Sequence, residues 1–386
     1  MSYRLDNQPM QPSQASSLVS PHQFVSSPFI QNTPATEKIA FVLNRNARKV
    51  SEGAIKKIQR LVPTEDLYIS HSLEESEHIA RVIVQKGYGT VVSGGGDGTL
   101  CNVMNQICRY VDETNDWRKQ RARFYNDTSG LVSYPEFAFL KLGTGNGLAE
   151  VVGAADFAQD IQKLQTGPRH SSVAVDMIES EGKRFMFAGM GYDAWVLNDY
   201  VNLKKWAKNK PLINTVAGTV AGYLLAVVGR TVPDMIARGC MQRIRVTNLG
   251  DTAYWIDGRR GDRAIAIEKG EVIFEGEAGL AGVGTHPYYG FGFKVYPFAG
   301  IMPGYMNLRI ANMGPLSVLS KLPSIWNGTC RTKHLFDFLV KEIKIESKEP
   351  MPYQFAGDAQ GQRTSIHFKI SDIPAQLVDY RGSLIA

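Results

Sequence analysis

The first half of the chain carries apolar runs that alternate with amphipathic stretches. The apolar runs have the length of strands, and the stretches between them place hydrophobic residues at helical spacing. The predicted strands are 38–43, 66–70, 90–93 and 136–142. The predicted helices are 50–61, 72–86, 100–110 and one that begins at residue 148. Strands that alternate with helices predict a doubly wound, parallel α/β domain, which we place at residues 37–167.

The rhythm changes after residue 168, where short predicted strands are separated by turns. These strands are 173–178, 185–188, 242–247, 264–267, 271–275, 291–296, 306–310, 343–346 and 365–368. Helices are predicted at 332–340 and in the uncharged segment 211–229. We interpret the latter as a buried helix, and a helix near a lipid entrance or a membrane span are the alternatives. The pattern predicts a second domain at 168–370, a mainly antiparallel β-sandwich. Residues 371–386 are expected to return to the first domain.

Composition and charge narrow the class of protein. Residues 1–36 are rich in Ser, Gln and Pro, which is typical of a disordered tail. The net charge of +6 is not concentrated in a run of Lys and Arg. We therefore expect no nucleic-acid partner, whereas an anionic nucleotide or membrane surface fits.

The four cysteines lack CxxC spacing and nearby histidines, so no zinc site or disulfide framework is expected. Reduced cysteines and the lack of a signal-peptide pattern predict a cytoplasmic protein.

Two glycine-rich loops follow predicted strands, and each precedes a predicted helix. The first is GGGDGT at 94–99, and the second is GTGNG at 143–147. Glycine lets the backbone turn sharply, so that successive N–H groups can approach phosphate oxygens. Asp97 could hold Mg²⁺ directly or through water, or it could cap the following helix. Because the carboxyl ends of parallel strands meet at one edge of a sheet, the two loops together predict a nucleotide cleft.

The candidate phosphate-binding residues are those of the two loops. They are Gly95, Gly96, Asp97, Gly98 and Thr99 in the first loop and Gly143, Thr144, Gly145 and Asn146 in the second. No Gly-Lys-Ser/Thr follows the glycines, so neither loop is a Walker A loop.

At these residues the chain resembles the diacylglycerol kinase catalytic superfamily, which includes sphingosine, ceramide and bacterial lipid kinases. The first loop matches the family's GGGDGT motif, and LGTGNGLA at 142–149 is similar to its LGTGNDLA motif. NRNA at 44–47, FMFAGMGYDA at 185–194 and GTHPYYGFGFK at 284–294 resemble three further family segments. The resemblance covers about residues 38–370 and implies the two-domain fold that diacylglycerol kinases share with NAD kinases.

The resemblance also implies cofactors and residue roles. ATP and Mg²⁺ would be the cofactors, with Mg²⁺ at Asp97, and a lipid hydroxyl would be the phosphate acceptor in the β domain. Asn44 and Ser70 fall at family positions that contact ATP, although Ser70 matches only in type and a simple strand-end serine fits equally well. Asp358 takes the place of the glutamate in the family's late DGE motif, and we expect it to act as general base. Asp193 is expected to contact the lipid head group, or else to cap the helix after it.

Three motifs of the chain depart from the family pattern. Ala356 replaces the first residue of the DGE motif, so one carboxylate is lost there. Cys101 and Asn102 stand where the family usually has Asn-Glu after the first loop. Pro303 stands in the family's metal-binding DDG turn, so the resemblance does not carry a structural Mg²⁺ to this chain.

The sequence thus predicts an ATP-dependent kinase for a hydroxyl of a diacylglycerol-, sphingosine- or ceramide-like lipid. The lipid would be met at a membrane surface, and the protein would be cytoplasmic or peripheral at the inner face of the membrane. Two alternatives stay open: an NAD kinase, and a catalytically silent regulator that binds nucleotide or membrane. The sequence also leaves a homodimer open.

Overall fold

The computed structural model describes residues 38–125, 130–143, 146–166, 171–197, 199, 233, 239–290 and 292–381. The predicted tail at 1–36, the apolar segment at 211–229, and the loop residues Thr144 and Gly145 lie outside these ranges.

Among the described residues, strands and helices alternate up to about residue 172, and strands predominate after it. The helices are α1 Glu52–Gln59, α2 Leu73–Lys86, α3 Asp97–Tyr125, α4 Gly147–Val152, α5 Phe157–Thr166, α6 Pro315–Ser320 and α7 Leu322–Trp326, and helical residues also occur at 192–197. The strands are β1 Ile39–Asn44, β2 Leu67–Ser70, β3 Thr90–Gly95, β4 Glu136–Lys141, β5 Ser172–Val175, β6 Ile178–Ser180, β7 Lys183–Phe185, β8 Phe187–Gly191, β9 Gln242–Asn248, β10 Ala253–Asp257, β11 Arg263–Ile267, β12 Val272–Ala278, β13 Leu280–Gly284, β14 Met306–Ala311, β15 Leu335–Val340, β16 Glu342–Phe355, β17 Asp358–Ile370 and β18 Ala375–Val378.

The first sheet has six strands in the order β2-β1-β3-β4-β18-β5, and its first five strands are parallel. Its central strand β3 is buried along its whole length, as expected for a parallel sheet covered by helices on both faces. Ser51 and Ser72 cap α1 and α2 by accepting hydrogen bonds from the N–H groups of Ala54 and Glu75. The predicted parallel α/β fold of the first half of the chain is confirmed.

The prediction of a single strand at 173–178 in the β domain is wrong. Its first part, β5, pairs antiparallel with β18 at the edge of the first sheet, whereas β6 belongs to the second sheet. One apolar run therefore supplies strands to both sheets, which a hydrophobic pattern alone cannot reveal. The C-terminal strand β18 lies in the first sheet, between β4 and β5.

The second sheet has twelve mainly antiparallel strands. The long strand β16 pairs with β9 near its start and with β8 near its end, so it joins two parts of the sheet. The ring of Phe274 in β12 lies 5.2 Å from that of Phe336 in β15, although these strands are not hydrogen-bonded neighbours. The sheet therefore curls over an apolar core, and the predicted antiparallel β architecture is confirmed.

Two local predictions in this part are also wrong. Residues 335–340 form β15 and not a helix, because β10 and β14 hydrogen-bond to its two edges. Of the predicted strand at 291–296, the described residues 292–296 do not form a strand, and Tyr288 and Lys294 make only an isolated bridge there. Short apolar runs fit a helix or a strand equally well, and pairing partners decide between them.

Helix α3 of the first sheet is joined to β7 of the second by side-chain hydrogen bonds. Asn105 donates to the carbonyl oxygen of Arg184 at 2.6 Å and accepts from its N–H at 2.7 Å. Cys101 donates from Sγ to the same carbonyl oxygen at 3.2 Å. The start of α3, where the first glycine loop ends, is thereby fixed against the second sheet.

The turn where the resemblance would place a structural metal is held by protein groups. Gly304 donates its N–H to Oδ2 of Asp176 at 2.7 Å, and burial raises the pKa of that carboxyl group against the effect of the hydrogen bond. Pro303, next to it, offers no carboxylate. This turn is therefore stabilised by the hydrogen bond that it donates to Asp176, which lies in the connection between β5 and β6.

We expect EDTA to leave the melting temperature within about 2 °C of its value in Mg²⁺, because a metal is not needed to hold this turn. Asp176→Ala should lower the free energy of unfolding by roughly 1–3 kcal/mol, since it leaves the Gly304 N–H without its acceptor. Thermal and denaturant unfolding measure both effects. A fall of many degrees in EDTA alone would show that a structural metal is present after all.

Candidate active site

The carboxyl ends of three parallel strands bring the predicted nucleotide residues together. Leu43 of β1 pairs with Gly94 of β3, and Gly95 of β3 pairs with Lys141 of β4. The two glycine loops leave β3 and β4 from neighbouring positions, at the edge where ligands bind in such sheets.

The two loops touch through their backbones. A Cβ atom on Gly143 would lie 2.3 Å from Cα and 2.7 Å from the nitrogen of Gly96, closer than real Cβ contacts come. A Cβ atom on Gly95 would collide with the side chain of Thr99 at 2.5 Å. The glycines are therefore required by close packing as well as by any ligand.

Asp97 links the first loop to the helix that follows the second. Its Oδ2 accepts from the N–H of Gly147 at 2.8 Å, and its Oδ1 accepts from the N–H of Leu148 at 3.2 Å. Burial raises the pKa of this carboxyl group, and the two backbone hydrogen bonds oppose that rise. Asn146 lies just before α4 with a left-handed φ of 50° and donates to the carbonyl oxygen of Gly143 at 3.0 Å.

The side chains of β1 and β2 support the first loop. Asn44 donates from Nδ2 to Oγ1 of Thr99 at 3.1 Å and accepts from the N–H of Asn46 at 2.9 Å. Ser70 is buried, and its hydroxyl donates to the carbonyl oxygen of Leu43 at 3.4 Å. The structure thus places Asn44 against the loop, whereas Ser70 ties β2 to β1.

The residues present fit a nucleotide phosphate better than a protein-bound Mg²⁺. The glycine loop and the first turn of α3 supply backbone N–H groups at a helix N-terminus, which suit an anion. Both oxygens of Asp97 already accept N–H groups of α4, so a direct metal bond from Asp97 competes with them. Among the described residues, no group of three or more His, Cys, Asp and Glu is placed to hold a metal ion. Mg²⁺ would therefore have to be held mainly by ATP phosphates.

Asp358 lies beside the first glycine loop although the two are far apart in sequence. A Cβ atom on Gly98 would lie 2.8 Å from Oδ2 of Asp358. Asp358 begins β17 after a tight turn at Ala356 and Gly357, both of which have positive φ. Asp358 is partly exposed to solvent, but the atoms packed around its carboxyl group desolvate it and raise its pKa, and the charge of Lys183 opposes this rise. The raised pKa and the position suit a proton acceptor next to a phosphate site.

Asp193 lies in a buried polar cluster on the second sheet. Its Oδ2 accepts from the hydroxyl of Tyr289 at 3.0 Å and from Nε2 of Gln354 at 2.9 Å. Its Oδ1 is buried and makes no hydrogen bond of good geometry, although the backbone N–H groups of Asp193 and Ala194 lie close enough to lower the pKa of the carboxyl group. Burial raises the pKa of Asp193, and the hydrogen bond from Gln354 opposes this most strongly. Gly189 makes room for it, because a Cβ atom there would lie 2.0 Å from Oδ2.

Sequence reasoning missed the two side chains that hold Asp193. Gln354 is fully buried and pairs across strands with Gly189, whereas Tyr289 comes from the loop after β13. The signal for Gln354 is its place two residues before the AGD turn, but its partner depends on strand register, which the pattern does not encode.

Comparison with known proteins agrees with this architecture. Residues 38–179 match the family model of the diacylglycerol kinase catalytic domain. No curated protein matches the chain in sequence.

Solved structures share the fold at low sequence identity. A Bacillus anthracis str. Sterne protein assigned as a diacylglycerol kinase aligns with a TM-score of 0.58 and 15% identity, over 90% of this chain and 98% of that one. Another structure of a diacylglycerol kinase from the same organism gives 0.54 and 14%, with the same coverage. An NAD kinase from Archaeoglobus fulgidus in complex with ATP reaches 0.41 and 11%, over 89% and 95% of the two chains. That last score is too low to assign anything to this chain.

The family match therefore covers the first sheet and its two glycine loops, in agreement with the resemblance that the motifs predicted. The family match supports a kinase and its use of ATP. Among the described residues, no helix is long and apolar enough to cross a membrane.

Proposed function

We propose that this protein is an ATP-dependent lipid kinase with Asp358 as its general base. The observation that carries the proposal is the contact of the Asp358 carboxylate with Gly98 of the first glycine loop. A loop suited to phosphates and a carboxylate of raised pKa lie side by side, and they come from different sheets. That is the arrangement that phosphoryl transfer to a hydroxyl requires.

The proposed reaction uses the two sheets for different partners. Backbone N–H groups of the two glycine loops would bind the phosphates of ATP, and Mg²⁺, when bound with ATP, would neutralise phosphate charge. Asp358 would accept the proton of the lipid hydroxyl as its oxygen forms a bond to the γ-phosphorus. The bond from the γ-phosphorus to the β,γ-bridging oxygen then breaks, and its electron pair leaves with ADP.

The lipid head group is proposed to contact Asp193. Oδ1 of Asp193 is buried and lacks a well-placed hydrogen-bond donor. A hydroxyl or amine of a diacylglycerol-, ceramide- or sphingosine-like lipid could supply one. Such a lipid would be drawn from a membrane surface, with the protein bound at the cytoplasmic face of that membrane.

A transfer assay with labelled ATP tests the proposed function. The panel is diacylglycerol, ceramide and sphingosine in mixed micelles, together with NAD. We expect label in at least one lipid and none in NAD. Phosphorylation of NAD alone would overturn the proposal, and ATP binding without transfer to any acceptor would support a silent regulator instead.

A further inference from the structure

The two glycine loops offer no positively charged side chain to a bound ATP. ATP would bring several negative charges next to Asp97 and Asp358. The glycine loops can bind these phosphates only through backbone N–H groups. Phosphoryl transfer depends on neutralising the charge of the transferred group, usually with a lysine, an arginine or a metal ion. No lysine or arginine lies within either glycine loop.

Two arginines near the cleft are engaged elsewhere. Arg45 lies 2.5 Å from Glu52 at the start of α1. The guanidinium of Arg184 lies 3.6 Å from Asp112 on α3. In both pairs the guanidinium group contacts a carboxylate that lies outside the glycine loops.

Lys183 is placed differently, beside the strand end that carries Asp358. Its Nζ lies 5.1 Å from the centre of the Phe355 ring. Phe355 is the cross-strand partner of Asp358 in the β16–β17 hairpin. The charge of Lys183 acts on both Asp358 and Cys101, and Cys101 lies in the second turn of α3. Lys183 is therefore near the general base and near the helix that follows the first glycine loop.

Contacts with both sheets fix this position. The backbone of the next residue, Arg184, is held to α3 by two hydrogen bonds with Asn105. The ring of Phe185 stacks on that of Phe355 with centres 4.9 Å apart and planes at 10°. Because side chains alternate along a strand, Lys183 and Phe185 lie on one face of β7. The Lys183 side chain is exposed and makes no ion pair of 4.0 Å or less among the described residues.

We propose that Lys183 binds the γ-phosphate of ATP and neutralises its charge during transfer. This inference rests on the proposed kinase function. Lys183 donates a hydrogen bond to a γ-phosphate oxygen and forms no covalent bond. It leaves the proton of the acceptor hydroxyl to Asp358.

The same lysine sets the pH range of the general base. A nearby cation favours the charged carboxylate, so Lys183 lowers the pKa of Asp358 against the effect of burial. The base works when it is deprotonated, so activity falls as the pH drops through this pKa. Removing the cation raises the pKa and moves the acid limb of the pH profile to higher pH.

Lys183→Ala, Lys183→Arg and the control Lys348→Ala test the proposal. Lys348 is exposed on β16 and outside the cleft. Each variant is assayed for kcat and KM of ATP across a pH series, using the acceptor that the wild type phosphorylates. Lys183→Ala should lower kcat/KM for ATP by roughly tenfold or more, and its acid limb should move to higher pH. Lys183→Arg should restore most activity, and Lys348→Ala should match the wild type.

A binding measurement separates this inference from the proposed function. The affinities of ATP and ADP are measured by calorimetry, and circular dichroism confirms that each variant is folded. Lys183→Ala should weaken ATP binding more than ADP binding, because ADP lacks the γ-phosphate, even if no acceptor is phosphorylated. Equal affinities in wild type and Lys183→Ala for both nucleotides, or an unchanged pH profile in an active enzyme, would overturn the role of Lys183.

Discussion

Asp358→Asn is expected to lower kcat by about 10²- to 10⁴-fold while ATP binding changes little. The amide keeps the size of the side chain beside Gly98 but cannot accept the hydroxyl proton. The loss should therefore appear in the chemical step, as for an interaction made in the transition state. Single-turnover transfer from labelled ATP to the active lipid, with calorimetric titration of ATP, measures the two quantities separately.

The matched control is Asp372→Asn, which makes the same change at an exposed position outside the hairpin. It should keep wild-type kcat and stability. If Asp358→Asn also keeps wild-type kcat, Asp358 is not the base, and the contact with Gly98 has only a structural role.

Gly143→Ala should raise the dissociation constant of ATP by roughly tenfold or more, which corresponds to about 1.4 kcal/mol. The new Cβ would lie 2.3 Å from Cα of Gly96, so the two backbones must separate. Because that contact joins the two loops, the N–H groups of both would lose their alignment. Stability should also fall by about 1–3 kcal/mol, as for overpacking at other tight sites.

Gly314→Ala is the control for this change. Gly314 has a φ of −69°, and a Cβ there would meet nothing within 4 Å. It should bind ATP as the wild type does. Unchanged ATP affinity in folded Gly143→Ala would show that the second loop does not take part in nucleotide binding.

The fold could be predicted largely from local pattern. Apolar strands that alternate with capped helices define the parallel sheet, and the structure confirms it. The run at 173–178 could not be divided between two sheets, since β5 and β6 differ only in their hydrogen-bond partners. Residues 335–340 were predicted as a helix because their local pattern does not show that they pair with β10 and β14.

The two glycine loops of the site could be predicted from the sequence, whereas the side-chain contacts between distant residues could not. The sequence could offer Asp97 either as a metal ligand or as a cap, and the structure shows its two oxygens bound to N–H groups of Gly147 and Leu148. That arrangement depends on the second loop lying against the first. Lys183 carries no motif, and its proximity to Asp358 arises only because the β6–β7 hairpin docks on α3.

A crystal structure with a non-hydrolysable ATP analogue tests whether residues 94–99 and Asp358 together form the active site. We expect the phosphates to lie against residues 94–99 and the Asp358 carboxylate to face the γ-phosphate. A nucleotide bound elsewhere would contradict the proposed active site. An Asp358 carboxylate that points away from the γ-phosphate, with no room for an acceptor hydroxyl between the two, would contradict it as well.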